Sequence, residues 1–188
     1  SNGSRLTRTG VLSAIEKITQ PDGLNFSPKR ITLSTVGVPK MIKRLADDKV
    51  KFNLAVSLHS AINDIRSSIM PINDSAPIEE LAESLVYWYR LTRRKITFEY
   101  VVWKEINDKI EDVEALVKLC KQVPSKVNLI EYNFIGDKRF KRAENESIDL
   151  YRRKLKENGI SAHIRKSRGE DIDAACGQLA NKTGVSLN

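Results

Sequence analysis

Apolar positions along the chain follow two spacings in turn. Segments 38–47, 78–92, 109–122 and 144–158 repeat apolar residues at the three-to-four-residue interval of a helix with one buried stripe. In the second of these, Ile78, Leu81, Leu85 and Trp88 share a face behind Pro77, whose fixed φ suits a helix start. In the third, Ile110, Val113, Leu116, Val117 and Cys120 line up. In the fourth, Ile148, Tyr151 and Leu155 do so, and Asn158-Gly159 reads as the stop. A further helix is read over 10–19. Residues 1–9 are polar and aperiodic, and read as an expression scar or a frayed end.

Between the helices lie short β-rich runs: Arg30–Leu33, Phe52–Ser57, Ile96–Val102, Val127–Tyr132 and Ala162–Arg165. Most are continuously apolar, as strands covered on both faces are. Helix and strand in alternation predict a parallel α/β sheet with right-handed crossovers, open or curled into a barrel. The first recognisable element is a helix rather than a strand, which suggests strands upstream.

Composition narrows the class. The 188 residues amount to one domain or most of one, 40% hydrophobic and 30% charged. No run of about 18 apolar residues exists to span a membrane, and no signal peptide stands at the start. The two cysteines, Cys120 and Cys176, are far apart, which argues against a disulfide framework and a self-contained zinc site. The expected location is cytoplasmic. The net charge of +8 favours polyanionic partners, although a solubilising surface explains it almost as well. Two basic clusters keep RNA in view: Lys138, Arg139, Lys141, Arg142, and Arg165, Lys166, Arg168.

Parallel α/β folds gather their chemistry where strands end. The strand ends carry Ser34-Thr35, then Ser57-Leu58-His59, then Trp103 to Asp108, then Asn133, and last the run from Ser167 to Leu179 that contains Cys176. Hydroxyls, an amide, an imidazole and a thiol would share one rim, a set that suits a nucleoside-like cofactor and many other small ligands. Each has a plainer explanation. Ser34 and Thr35 can cap the next helix, His59 can be a hydrogen-bonded turn residue, and Asn133 can be a turn former. Cys120 fits a helix's apolar face and reads as core. Cys176 lies on no clear stripe and is a plausible reactive thiol.

The segments ITLSTVGVPKMIKRLADD, LAVSLHSAINDIRSSIMPIN, ITFEYVVWKEIND, KVNLIEYN and RKSRGEDIDAACGQLA resemble the RlmN/Cfr family of radical S-adenosylmethionine (SAM) RNA methyltransferases. The resemblance covers about residues 10–182. The last segment is its most specific motif and looks like the RlmN branch. The resemblance implies the C-terminal portion of a partial (βα)6 radical-SAM barrel, a mostly parallel sheet with flanking helices, about two strands short. It also implies methylation of adenine C2 in 23S rRNA and in some tRNAs.

Residue by residue, the resemblance makes Cys176 the thiol that carries the methyl group. It makes Ser34, Ser57, Leu58, His59 and Asn133 the SAM contacts, the SLH segment acting partly through backbone. Arg165, Lys166 and Arg168 are the candidate RNA contacts. The implied cofactors are SAM and a 4Fe–4S cluster. The family's CxxxCxxC loop, GEP segment and resolving cysteine do not occur in this sequence, and Cys120 does not match the last of them. The NPFPG stretch reads Asn133-Phe134-Ile135-Gly136-Asp137. The expectation is therefore a truncated and inactive piece of an enzyme, with any dimer an artefact of an exposed strand edge. The alternatives are a stand-alone RNA-binding module without catalysis, or an unrelated barrel enzyme with a small-molecule substrate.

Overall fold

The computed structural model describes residues 30–133 and 139–168. Five strands form one sheet in the order β1-β2-β3-β4-β5: Thr32–Thr35, Asn53–Ser57, Ile96–Val102, Ser125–Asn133 and Ala162–Arg168. Every neighbouring pair is parallel. Six helices connect them. They are α1 (Pro39–Asp47), α2 (Asn63–Ile69), α3 (Ile72–Ser75), α4 (Ile78–Thr92), α5 (Ile110–Gln122) and α6 (Asn145–Glu157).

The strand order separates the two architectures left open by the sequence. A doubly wound sheet reverses its order at a switch point and carries helices on both faces. Here the order never reverses. Apolar residues of α1, α4, α5 and α6 all join one core with Leu54, Val56, Phe98, Tyr100, Val127 and Leu129. The long helices thus share the outer face, as in a barrel wall. A smaller cluster of Val101, Trp103, Ile130 and Tyr132 lies on the inner face, packed by Ile69, Ile106 and Phe140.

The long helices fall where the periodicity puts them. Pro77 caps α4, and Ile78, Leu81, Leu85 and Trp88 are buried. α6 ends at Glu157 with Asn158 as its C-cap, and Gly159 follows in the left-handed region (φ 70°) while Ile160 N–H returns to Leu155 O. One stripe residue departs: Ile110 is the first residue of α5 and is exposed. The helix read at 10–19 and the segment 1–9 lie outside the described residues.

Strand limits shift in a way that matters for chemistry. β1 begins at Thr32 rather than Arg30, so Ser34 and Thr35 are its last residues and not loop. β4 runs from Ser125 through Asn133, and β5 runs on to Arg168. The register of β5 on β4, from Val127↔Ala162 to Asn133↔Arg168, draws those polar residues into the ladder. The short helices α2 and α3 were not evident in the sequence, being too brief to show a period.

Candidate functional site

Register fixes which residues share the inner face. In parallel strands, partners in register project to the same side. Ser34 pairs with Ala55, and Ser57 pairs with Glu99, which pairs with Asn128, which pairs with His163. A polar row therefore crosses the inner face from the end of β2, through the middle of β3, to the first halves of β4 and β5. Asn128 Nδ2 donates to Glu99 Oε1 at 3.1 Å, and Arg165 reaches Glu99 Oε2 at 3.6 Å. Glu99 lay inside a recognised segment but carried no assigned role. A carboxylate between apolar neighbours signals the inner face only once the register is known.

Ser34 is exposed, and its hydroxyl has no partner among the described residues. It does not cap α1, whose N-cap is Val38. Thr35 Oγ1 instead accepts from Gly37 N–H at 3.1 Å. Gly37 adopts φ 94°, and a Cβ there would meet Leu81 Cδ1 at 2.9 Å. This glycine lets the chain leave β1 and enter α1 against α4. Leu58 buries its side chain in the outer core, so only its backbone faces the rim. Its N–H donates to Glu99 O and its carbonyl accepts from Arg66 Nε.

His59 is buried with φ 59°. Its Nδ1 accepts from Val101 N–H at 3.0 Å, which puts the ring hydrogen on Nε2. The imidazole meets Trp103 edge-on, ring centres 5.4 Å apart. Burial, reinforced by the Arg66 charge, lowers its pKa to about 3. His59 is thus a neutral scaffold residue that ties the end of β2 to β3. Asn107 completes the tie. Its Nδ2 donates to His59 O and Val101 O, and its Oδ1 accepts from Trp103 N–H. Tyr151 OH in turn donates to Asn107 O and contacts Tyr100 OH, joining the rim to the outer core.

The remaining candidates are distributed as follows. Asn133 ends β4, in register with Arg168 at the end of β5. Arg165 and Lys166 point to opposite faces of β5. Arg165 turns inward to Glu99, whereas Lys166 is in register with Glu131 on the outer side. These two residues do not form one basic patch. Cys120 is core, as its stripe suggested, and burial pushes its thiol up to about 11. Cys176, Lys138 and the side chains of Asn133 and Arg168 lie outside the described residues. Among the described residues no cluster of His, Cys, Asp or Glu is placed to hold a metal ion. No helix there is long and apolar enough to cross a membrane.

A sequential parallel sheet, one helical face and polar strand ends are the parts of a radical-SAM-type barrel. A radical SAM methyltransferase from Sphaerobacter thermophilus has this fold, with a TM-score of 0.82 and 38% identity over 91% of this chain and 50% of that one. A domain of a pyruvate-formate lyase-activating enzyme from Bacteroides vulgatus shares the fold alone, at 11% identity and a TM-score of 0.64. No protein-family model matches.

More particularly, the chain is RlmN-like along 92% of its length. It is 61% identical over 173 residues to a probable dual-specificity RNA methyltransferase RlmN of Christiangramia forsetii. It is 63% identical over 172 residues to that of Flavobacterium psychrophilum. It spans about half the length of these curated relatives, 49% and 50%. The resemblance read from the motifs thus holds over nearly the whole chain.

Proposed function

We propose that the chain is the C-terminal part of an RlmN-type radical SAM RNA methyltransferase, acting in the cytoplasm on adenine C2 of 23S rRNA and of tRNA. The observation that carries this reading is the agreement of the relatives with the place of the matched residues in the fold. The relatives are named RNA methyltransferases, and the residues matched to SAM contacts, Ser34, Ser57–His59 and Asn133, all fall at the C-terminal edge of one parallel sheet.

The residues fit SAM in part. Ser34 is exposed with no hydrogen-bond partner among the described residues, and Ser57 is half-buried on the same face. Both hydroxyls can hydrogen-bond a carboxylate, an amine or a ribose. The backbone around Leu58 and His59 is held rigid by neighbouring side chains rather than by its own flexibility. Bound SAM supplies an electrophilic methyl group, and Cys176 is assigned as the thiol that carries it. The residues do not fit a 4Fe–4S cluster. The sequence holds two cysteines, Cys120 is buried in α5, and no step through a cluster is derived for this chain.

The reading is tested by titrating S-adenosylhomocysteine into the 188-residue chain by calorimetry. Binding is expected, weakened about tenfold by Ser34→Ala with Ser57→Ala, the loss of one or two hydrogen bonds to a ligand. A chain that binds no S-adenosylhomocysteine sinks the cofactor assignment. Anaerobic treatment with iron and sulfide is expected to leave the chain colourless and without methylation activity. A stoichiometric cluster spectrum would overturn that part.

A further inference from the structure

The β1–β2 ladder ends at Thr35↔Val56. Just beyond it, three carbonyls from the two strand ends are satisfied by a single side chain. Arg66, on α2, donates from Nη2 to Val36 O at 2.8 Å and to Ser57 O at 3.2 Å. From Nε it donates to Leu58 O at 3.1 Å. Its Nη1 donates to Asn73 Oδ1 at 3.2 Å, and Asn73 is itself held by Asn63 and Ser67. The guanidinium stands where the next rungs of the ladder would be. The chain then turns away on both sides, at Gly37 (φ 94°) and at His59 (φ 59°).

Arg66 has no exposed surface. Among the described residues no carboxylate pairs with it; Asp64, Asp74 and Glu79 on the adjoining segments are exposed. A buried cation held only by neutral acceptors costs desolvation, which an apolar side chain would avoid. An apolar side chain could not converge three carbonyls on one plane. Neither could lysine, whose ammonium is a single point on a flexible stem. The residue's chemistry is explained by what it holds.

We infer that Arg66 is a positioning residue for the nucleoside-cofactor site. It replaces the missing ladder bonds, fixing the ends of β1 and β2 at a set separation, so that the contacts around Ser34 and Ser57–His59 exist before the ligand arrives. Ordering done in advance is not charged against binding, so affinity rises without a direct contact. This inference rests on the cofactor reading given above.

The probe is S-adenosylhomocysteine, titrated into the full 188-residue chain. Arg66→Lys keeps the charge and removes the planar fork. It should weaken binding about tenfold or more, measured on the folded fraction, with the thermal transition still present. A folded Arg66→Lys chain that binds as tightly as the original overturns the inference and leaves the cofactor site standing. In the unsubstituted chain, the Arg66 Nε–H should be protected from solvent exchange before any ligand is added, and ligand saturation should change that protection little. An Nε–H that exchanges freely until ligand binds also overturns the inference, whether or not the variant folds. Absence of binding by the unsubstituted chain removes the site reading, and the inference with it.

Discussion

Asn107 Nδ2 donates 2.8 Å to the carbonyl of His59, across 48 residues of chain. The same amide group meets Val101 O at 2.7 Å, and its oxygen takes Trp103 N–H at 2.7 Å. All this happens without solvent, since Asn107 is fully buried. One side chain thereby sets the spacing between the ends of β2 and β3.

Asn107→Ala strands three buried backbone groups. The expected loss is on the order of 3 kcal/mol of unfolding free energy. Asn107→Asp should cost at least as much, because a carboxylate oxygen would face two carbonyls in place of an N–H donor. Urea denaturation of the two variants checks both values, and equal stability to the parent refutes the role given to the amide.

His59 makes stability depend on pH. Its folded pKa, about 3, lies below the ordinary 6.5 that it has in the unfolded chain, so the unfolded chain takes up the proton first as pH falls. The stabilisation from neutral His59 is complete above about pH 6.5 and is lost as pH drops toward 3, with a slope of up to ~1.4 kcal/mol per pH unit. Denaturant titrations between about pH 7 and 4 should show this slope, and His59→Asn should flatten it. An unchanged slope in the variant would assign the pH dependence to other groups.

Gly37→Ala should be costly for two separable reasons. Its φ of 94° strains any L side chain, and its Cβ would press on Leu81. A loss of about 2–3 kcal/mol is expected from strain and overpacking together. Pairing the substitution with Leu81→Ala should return part of it, and a double mutant showing simple additivity would remove Leu81 from the account.

Cys120 should resist thiol reagents in the native state. Its thiol is buried and raised to about 11, so little thiolate exists at neutral pH. In a Cys176→Ser background, labelling by a disulfide reagent should wait for unfolding. Rapid labelling in native buffer would contradict the buried placement.

Much of this was legible in the sequence. The long helices showed themselves because each carries a full stripe, as Ile78, Leu81, Leu85 and Trp88 do in α4. The strands showed as apolar runs because β3 is covered on both faces. Helix α2 was missed because seven residues hold too little of a stripe. Arg66 was missed for a related reason: a charged residue in a polar stretch reads as surface, and only the fold reveals three carbonyls around it. Glu99 and Arg165 are far apart in sequence and meet only through the register of three strands. The motifs grouped residues along the chain, but not the direction in which each side chain points. Leu58 belongs to the SLH motif and yet packs its side chain away from the rim.

The sheet's unbroken order also bears on how the molecule assembles and fails. Each strand finds its partner one crossover away, so no rung waits for a remote part of the chain, and the loop closures involved are short. The fold can therefore grow by accretion, each βα unit using the last as its template. A lesion in one unit, such as a slipped register in β3, would be inherited by every unit laid down after it, while those already in place would keep their alignment.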